Sequence, residues 1–106
     1  MARILLADDD AHTVRIMSLW LTRNGHQTLE ARTGAQAMRV LSECGADMLI
    51  SDINMPEING LELVEKVRGE LKLDIPIIVL SSRCDQTSLA ERLKAQGAEL
   101  YPKPFV

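Results

Sequence analysis

The residues whose chemistry stands out are Asp8-Asp9-Asp10, Asp52, the hydroxyl pair Ser81-Ser82 and Lys103. Carboxylates crowded together repel, and their ionisation is suppressed unless a cation holds them. An all-oxygen set with no His or Cys beside it favours a hard divalent ion, Mg2+ ahead of Zn2+. Mg2+ commonly takes one or two carboxylates, keeps waters and adds phosphate oxygens. A lysine offers a compact positive charge on the far side of an incoming phosphoryl group, and a carboxylate can itself attack phosphorus. If these groups converge, they suit the transfer of a phosphoryl group onto a carboxylate. Each has a plainer reading when taken alone. Asp10 reads as a helix N-cap, three consecutive acids as a solvated loop, the serines as caps of the next helix, and Lys103 as a surface charge. Convergence separates the two readings.

The elements that would bring them together are legible as an alternation. Short apolar runs occur at Ile4–Ala7, Met48–Ser51 and Ile75–Leu80, with a weaker strand-like stretch at Gln27–Ala31 and a short one at Glu99–Tyr101. Between them the spacing is helical. Thr13, Ile16, Met17, Trp20 and Leu21 form one face of a first helix ending at Asn24-Gly25. Thr33 to Gln36 reads as a capping box opening a second, with Ala37, Met38 and Leu41 inward and Gly45 as its stop. Asn59-Gly60-Leu61-Glu62 opens a third, with Leu61, Val64 and Val67 or Arg68 inward and Glu62–Lys66 paired outside. A fourth runs from about Asp85 to Gln96, burying Leu89, Ala90 and Leu93 before Gly97. Strands this apolar have no wet face and belong in a parallel sheet covered on both sides. In such sheets chemistry collects beyond the carboxyl ends of the strands. Asp8 to Asp10 follow the first strand, Asp52 the third, Ser81 and Ser82 the fourth and Lys103 the fifth. Every group falls at the same edge.

Composition narrows the function class. The 106 residues make one domain, and 46% apolar content supplies an ordinary core. A formal charge of −3, from 12 basic and 15 acidic residues, excludes the strongly basic footprint of a nucleic-acid binder. No apolar run approaches the ~20 residues that span a bilayer, and Met1-Ala2-Arg3 does not open a signal peptide. Cys44 and Cys84 form neither a metal spacing nor a disulfide framework, which fits a reduced, cytoplasmic chain. Three aromatics, Trp20, Tyr101 and Phe105, argue against a base-stacking or sugar-binding surface.

The run Ile4-Leu-Leu-Ala-Asp-Asp-Asp10 is joined by Asp52-Ile-Asn-Met-Pro-Glu-Ile-Asn-Gly60, Pro76-Ile-Ile-Val-Leu-Ser-Ser82 and Lys103-Pro-Phe105. Together these resemble the receiver domain of bacterial two-component response regulators over nearly the whole chain. The resemblance implies a flavodoxin-like, doubly wound, five-stranded parallel sheet of order 2-1-3-4-5, and one receiver domain spanning 1–106. It implies that Asp52 is the phosphoacceptor, served by a histidine kinase or a histidine phosphotransfer protein. Asp8, Asp9, Asp52 and the main-chain carbonyl of Asn54 would hold Mg2+, and Lys103 would contact the phosphoryl oxygens. Ser81 would be the switch hydroxyl and Ser82 its small neighbour, while Asn54 and Arg83 would tune the lifetime of the phosphate. Met55-Pro56 and Gly60 would shape the loop presenting Asp52, with Lys103-Pro104 cis. Such a domain is a signalling switch rather than an enzyme acting on an outside metabolite.

Two features depart from that pattern. Gly97 to Lys103 is six steps, one short of the family spacing, so the aromatic switch position falls on Leu100 by counting or on Tyr101 if the strand is one residue short. The fifth, C-terminal helix is also lacking. Apolar surface on the first, fourth and fifth strands and the first helix would then be uncovered, to be met by an adjoining domain or by a second copy in a homodimer. Val14 and Leu19 on the outside of the first helix point the same way. The competing readings are a phosphate-independent interaction module, a haloacid-dehalogenase-type Mg2+ phosphohydrolase, which would turn over small phosphate esters, and an FMN carrier, whose phosphate three acids would repel.

Overall fold

A computed structural model describes residues 2–55, 57–81 and 87–102. Along the chain lie β1 (Arg3–Ala7), α1 (Ala11–Arg23), β2 (Gln27–Ala31), α2 (Gly34–Glu43), β3 (Met48–Asp52), α3 (Gly60–Gly69), β4 (Ile77–Ser81), α4 (Thr87–Ala95) and β5 (Ala98–Pro102). The strands form one sheet in the order β2-β1-β3-β4-β5, every pair parallel. This is the doubly wound, flavodoxin-like order expected from the sequence, and four helices accompany it among the described residues. β4 starts two residues later than its apolar run. Pro76 has no N–H to give to the ladder, and its carbonyl instead accepts from Leu49 N at 3.0 Å.

Alternation along the strands builds two faces. Leu5, Ala7, Leu49, Ile77, Val79 and Ala98 pack under α2, α3 and α4, against Leu41, Leu63, Val64, Val67 and Leu93. Ile4, Leu6 and Leu80 face the other way, onto Val14, Met17 and Leu21 of α1, with Met48, Ile50 and Ile78 only partly buried beside them.

The helix ends follow the capping signals. The Thr33 side chain accepts from Gln36 N at 3.1 Å, and Gln36 Oε1 reaches back to the N–H of Arg32 rather than to that of Thr33 itself. At α3 the reciprocal pair Asn59–Glu62 is complete. Lys66, expected to pair with Glu62, instead donates to Glu70 at 2.9 Å, one turn further on. Of the two inward candidates, Val67 is buried. Arg68 spends its guanidinium on the carbonyls of Gln96, Leu73 and Ile75, tying α3 to the entry of β4 and the end of α4.

α1 is rotated from its expected face. Val14, Met17 and Leu21 enter the core, so Val14 lies inside rather than outside. On one flank Ser18 meets Thr28 of β2 through their hydroxyls at 2.8 Å. Ile16 and Trp20 fall on the opposite flank, toward β3 and β4, and are 50% and 65% exposed. The exposed large apolar residues among those described are Ile16, Leu19, Trp20 and Tyr101, all on α1 or β5. No helix among the described residues is long and apolar enough to cross a membrane.

Candidate functional site

Parallel register decides where the acids meet. The β1–β3 ladder ends with Ala7 opposite Ser51, so Asp8 and Asp52 stand one step beyond it on neighbouring strands. Carboxylate oxygens of Asp8, Asp9 and Asp52 lie within 4.8 Å of one another. Asp8 and Asp52 are buried, and Asp9 is exposed. Such a set, all oxygen and partly desolvated, fits a hard divalent cation. Asp8 is held by its backbone N–H, which donates to Ala31 O at 3.0 Å, and by its Oδ1, which accepts from Asp10 N at 2.9 Å.

Asp10 does the work of a cap. Its carboxylate accepts from His12 N at 3.0 Å and from the Thr13 hydroxyl at 2.8 Å. The Thr13 hydroxyl, then the His12 N–H, hold this carboxyl below the usual carboxylate range. It stands apart from the three converging acids.

The segment after β3 folds back tightly on Asp52. Ile53 N donates to Leu80 O and Gly60 N donates to Ile53 O, each at 2.9 Å. A Cβ on Gly60 would stand 2.6 Å from the Asp52 carbonyl oxygen, so a side chain there would push into the site's backbone. Met55 is buried, Ile58 abuts Gly34 at the start of α2, and Asn54 is exposed on the loop between.

Ser81 closes β4 at the same edge, buried, in register with Pro102. Leu100 packs partly buried on the face covered by α2, α3 and α4. Tyr101 pairs with Leu80, is 44% exposed, and donates its hydroxyl to Glu99 Oε2 at 3.3 Å. Pro56, Ser82, Arg83, Cys84, Lys103 and Pro104 lie outside the described residues. Cys44 is a free, exposed thiol. The described chain therefore joins Asp8, Asp9 and Asp52, with Ser81 at the same edge. The sequence reading passed over Ser51, whose buried hydroxyl donates to the Asp52 carbonyl at 3.0 Å. A lone hydroxyl at the end of an apolar strand was the available signal.

Residues 4–106 match the family model for the response regulator receiver domain. The chain is 42% identical over 106 residues to a chemotaxis protein CheY homolog of Campylobacter jejuni, covering 97% of this chain and 82% of that protein. It is 34% identical to the transcriptional regulatory protein KdpE of Mycobacterium tuberculosis, covering 99% of this chain but 46% of KdpE, so it spans under half of that relative. Among solved structures it is similar to the chemotaxis response regulator CheY4 of Vibrio cholerae, with a TM-score of 0.90 and 31% identity over 99% of this chain and 88% of that one. It is equally similar in sequence, at 31%, to the response regulator TrrA of Thermotoga maritima in complex with Mg2+-BeF, with a TM-score of 0.85 over 99% and 89% of the two chains. The acid cluster stands at the sheet edge that the motifs marked, and the chain belongs to the response regulator receiver family, the signalling modules of two-component systems.

Proposed function

We propose that this chain is a phosphoacceptor switch in which Asp52 takes a phosphoryl group from a histidine kinase or a histidine phosphotransfer protein. The observation carrying this reading is the meeting of the Asp8, Asp9 and Asp52 carboxylates at one sheet edge. An Asp52 carboxylate oxygen forms the new bond to phosphorus as the phosphorus–nitrogen bond of the donor histidine breaks and the imidazole departs. Asp8, Asp9 and the Asn54 carbonyl, with Asp52, would hold Mg2+, which supplies positive charge against the phosphoryl oxygens when bound. Lys103 is assigned the phosphoryl oxygens from the other side.

The consequence is electrostatic. Phosphorylation adds about 1.5 to 2 negative charges and strong acceptor oxygens at Asp52. Ser81, at the end of the adjoining strand, is drawn toward them and biases a two-state arrangement of α4. Tyr101 or Leu100 follows on β5, and Ser82, Asn54 and Arg83 set access and lifetime. A partner that prefers one arrangement reads the result.

Intact mass after incubation with acetyl phosphate tests this, with and without Mg2+ and beside Asp52→Asn. A single phosphoryl adduct that requires both Mg2+ and Asp52 is expected. Folded protein that gains no adduct and also shows no spectral response to beryllofluoride would refute the reading in favour of a phosphate-independent module. Sustained turnover of a small phosphate ester would instead point to a phosphohydrolase.

A further inference from the structure

Ser51 occupies a row of the sheet that is otherwise apolar. Its register partners are Ala7 on β1 and Val79 on β4, both buried in the face under the helices. Ser51 is itself fully buried. A hydroxyl in such a place costs stability unless it is hydrogen-bonded. Alanine would fill the row equally well, so the hydroxyl has to be explained by its partner.

That partner is the carbonyl of Asp52, which accepts from Ser51 Oγ at 3.0 Å. The same peptide unit continues to Ile53, whose N–H donates to Leu80 O at 2.9 Å. The peptide plane joining residues 52 and 53 is thus pinned at both ends, by Ser51 on its oxygen and by β4 on its nitrogen. It is pinned one residue beyond the last β1–β3 pair, Ala7 with Ser51. Gly60 lies against the same carbonyl, closing the third side. The orientation of this plane sets the backbone angles from which the Asp52 side chain departs, and it leads to Asn54 two residues on.

We propose that Ser51 is a positioning residue for Asp52, holding its carboxylate in line for attack; this rests on the phosphoacceptor reading above. Loss of the hydroxyl leaves the Leu80 bond in place and removes the Ser51 hydrogen bond from the other end of the plane. The fold stays intact, while the alignment of the attacking oxygen loosens. Because small misalignments of a reacting group are costly, Ser51→Ala lowers the limiting phosphorylation rate about three- to tenfold.

The test uses the full chain, acetyl phosphate at saturating concentration and a Mg2+ titration, with adduct formation followed by intact mass. Circular dichroism and thermal melts confirm that wild type and Ser51→Ala are fully folded at the assay temperature. The expected result is a slower limiting rate for the variant at saturating Mg2+, where any loosening of the metal site has been titrated out. Equal limiting rates overturn the inference, even if the melting temperature falls, and make Ser51 merely structural. A weakened Mg2+ response with an unchanged limiting rate overturns it as well. Wild-type protein that takes up no phosphoryl group would instead sink the phosphoacceptor reading itself, a distinct outcome that removes this inference with it.

Discussion

The two faces of the sheet are made from alternate residues of the same strands, yet they end in different states. On one face Leu5, Leu49, Ile77 and Val79 sit at or near zero exposure beneath α2, α3 and α4. On the other, α1 is the helix found among the described residues, and Met48, Ile50 and Ile78 remain partly open. The strand sequences carry no hint of this difference, being apolar on both sides. The site straddles it. Alternation puts Asp52 on the side of Ile50, whereas Ser51 and Ser81 fall on the side of Leu49 and Val79. On the proposed reading, the carboxylate that meets an incoming group thus belongs to the side of Ile50, and the hydroxyls assigned to hold or sense it are anchored in the close-packed one. Rigid packing on one face lets the other remain accessible without loss of geometry.

The contrast is broken most directly in the closed face. Leu63 of α3 is fully buried there. Truncating a buried leucine loses transfer free energy and leaves a cavity, so Leu63→Ala should destabilise by about 2–5 kcal/mol. Denaturant unfolding would measure this as a lower midpoint at unchanged slope. A loss under about 1 kcal/mol would mean that the face is not packed as tightly as its exposures imply.

A smaller effect probes the seam between α2 and the loop that presents Asp52. A Cβ on Gly34 would stand 2.6 Å from Ile58 Cβ and 2.9 Å from Ile58 O. Neither the branched Cβ nor the backbone can swing aside, so Gly34→Ala must move the loop or the helix start. Overpacking of this kind costs roughly 1–3 kcal/mol, more than the gain of about 1 kcal/mol in helix propensity returns. A variant as stable as wild type, by the same unfolding measurement, would show that the seam gives way easily.

β1, β3 and β4 were legible because their runs are apolar, and the acids that end the runs of β1 and β3 marked Asp8, Asp9 and Asp52. Caps at Asp10, Thr33 and Asn59 were legible because short polar side chains there have a local job. The rotation of α1 was not. Its residues offer two adjacent apolar stripes, Val14-Met17-Leu21 and Ile16-Trp20, and spacing alone does not say which one meets the sheet. The Ser18–Thr28 contact that settles it joins residues from different elements. Ser51 escaped notice for a related reason, since a small residue in a strand looks like packing until its hydroxyl is seen to have a partner.

The smallest expected effect lies on the open face and sharpens the contrast most. Trp20 is 65% exposed on the flank of α1 that looks toward β3 and β4. In an isolated chain, removing an exposed side chain changes stability by no more than about 0.5 kcal/mol, so Trp20→Ala should unfold almost as wild type does at micromolar protein. A bound apolar dye would report the open strip directly, and the variant should bind less of it. If a second copy covers this face, the result changes in kind: stability becomes concentration-dependent, wild type sediments as a dimer, and Trp20→Ala loses both properties. Sedimentation of the two proteins across a concentration series therefore decides whether the open face is bare or is one half of an interface, and only in the second case does Trp20 rank with Leu63 as a residue that the fold depends on.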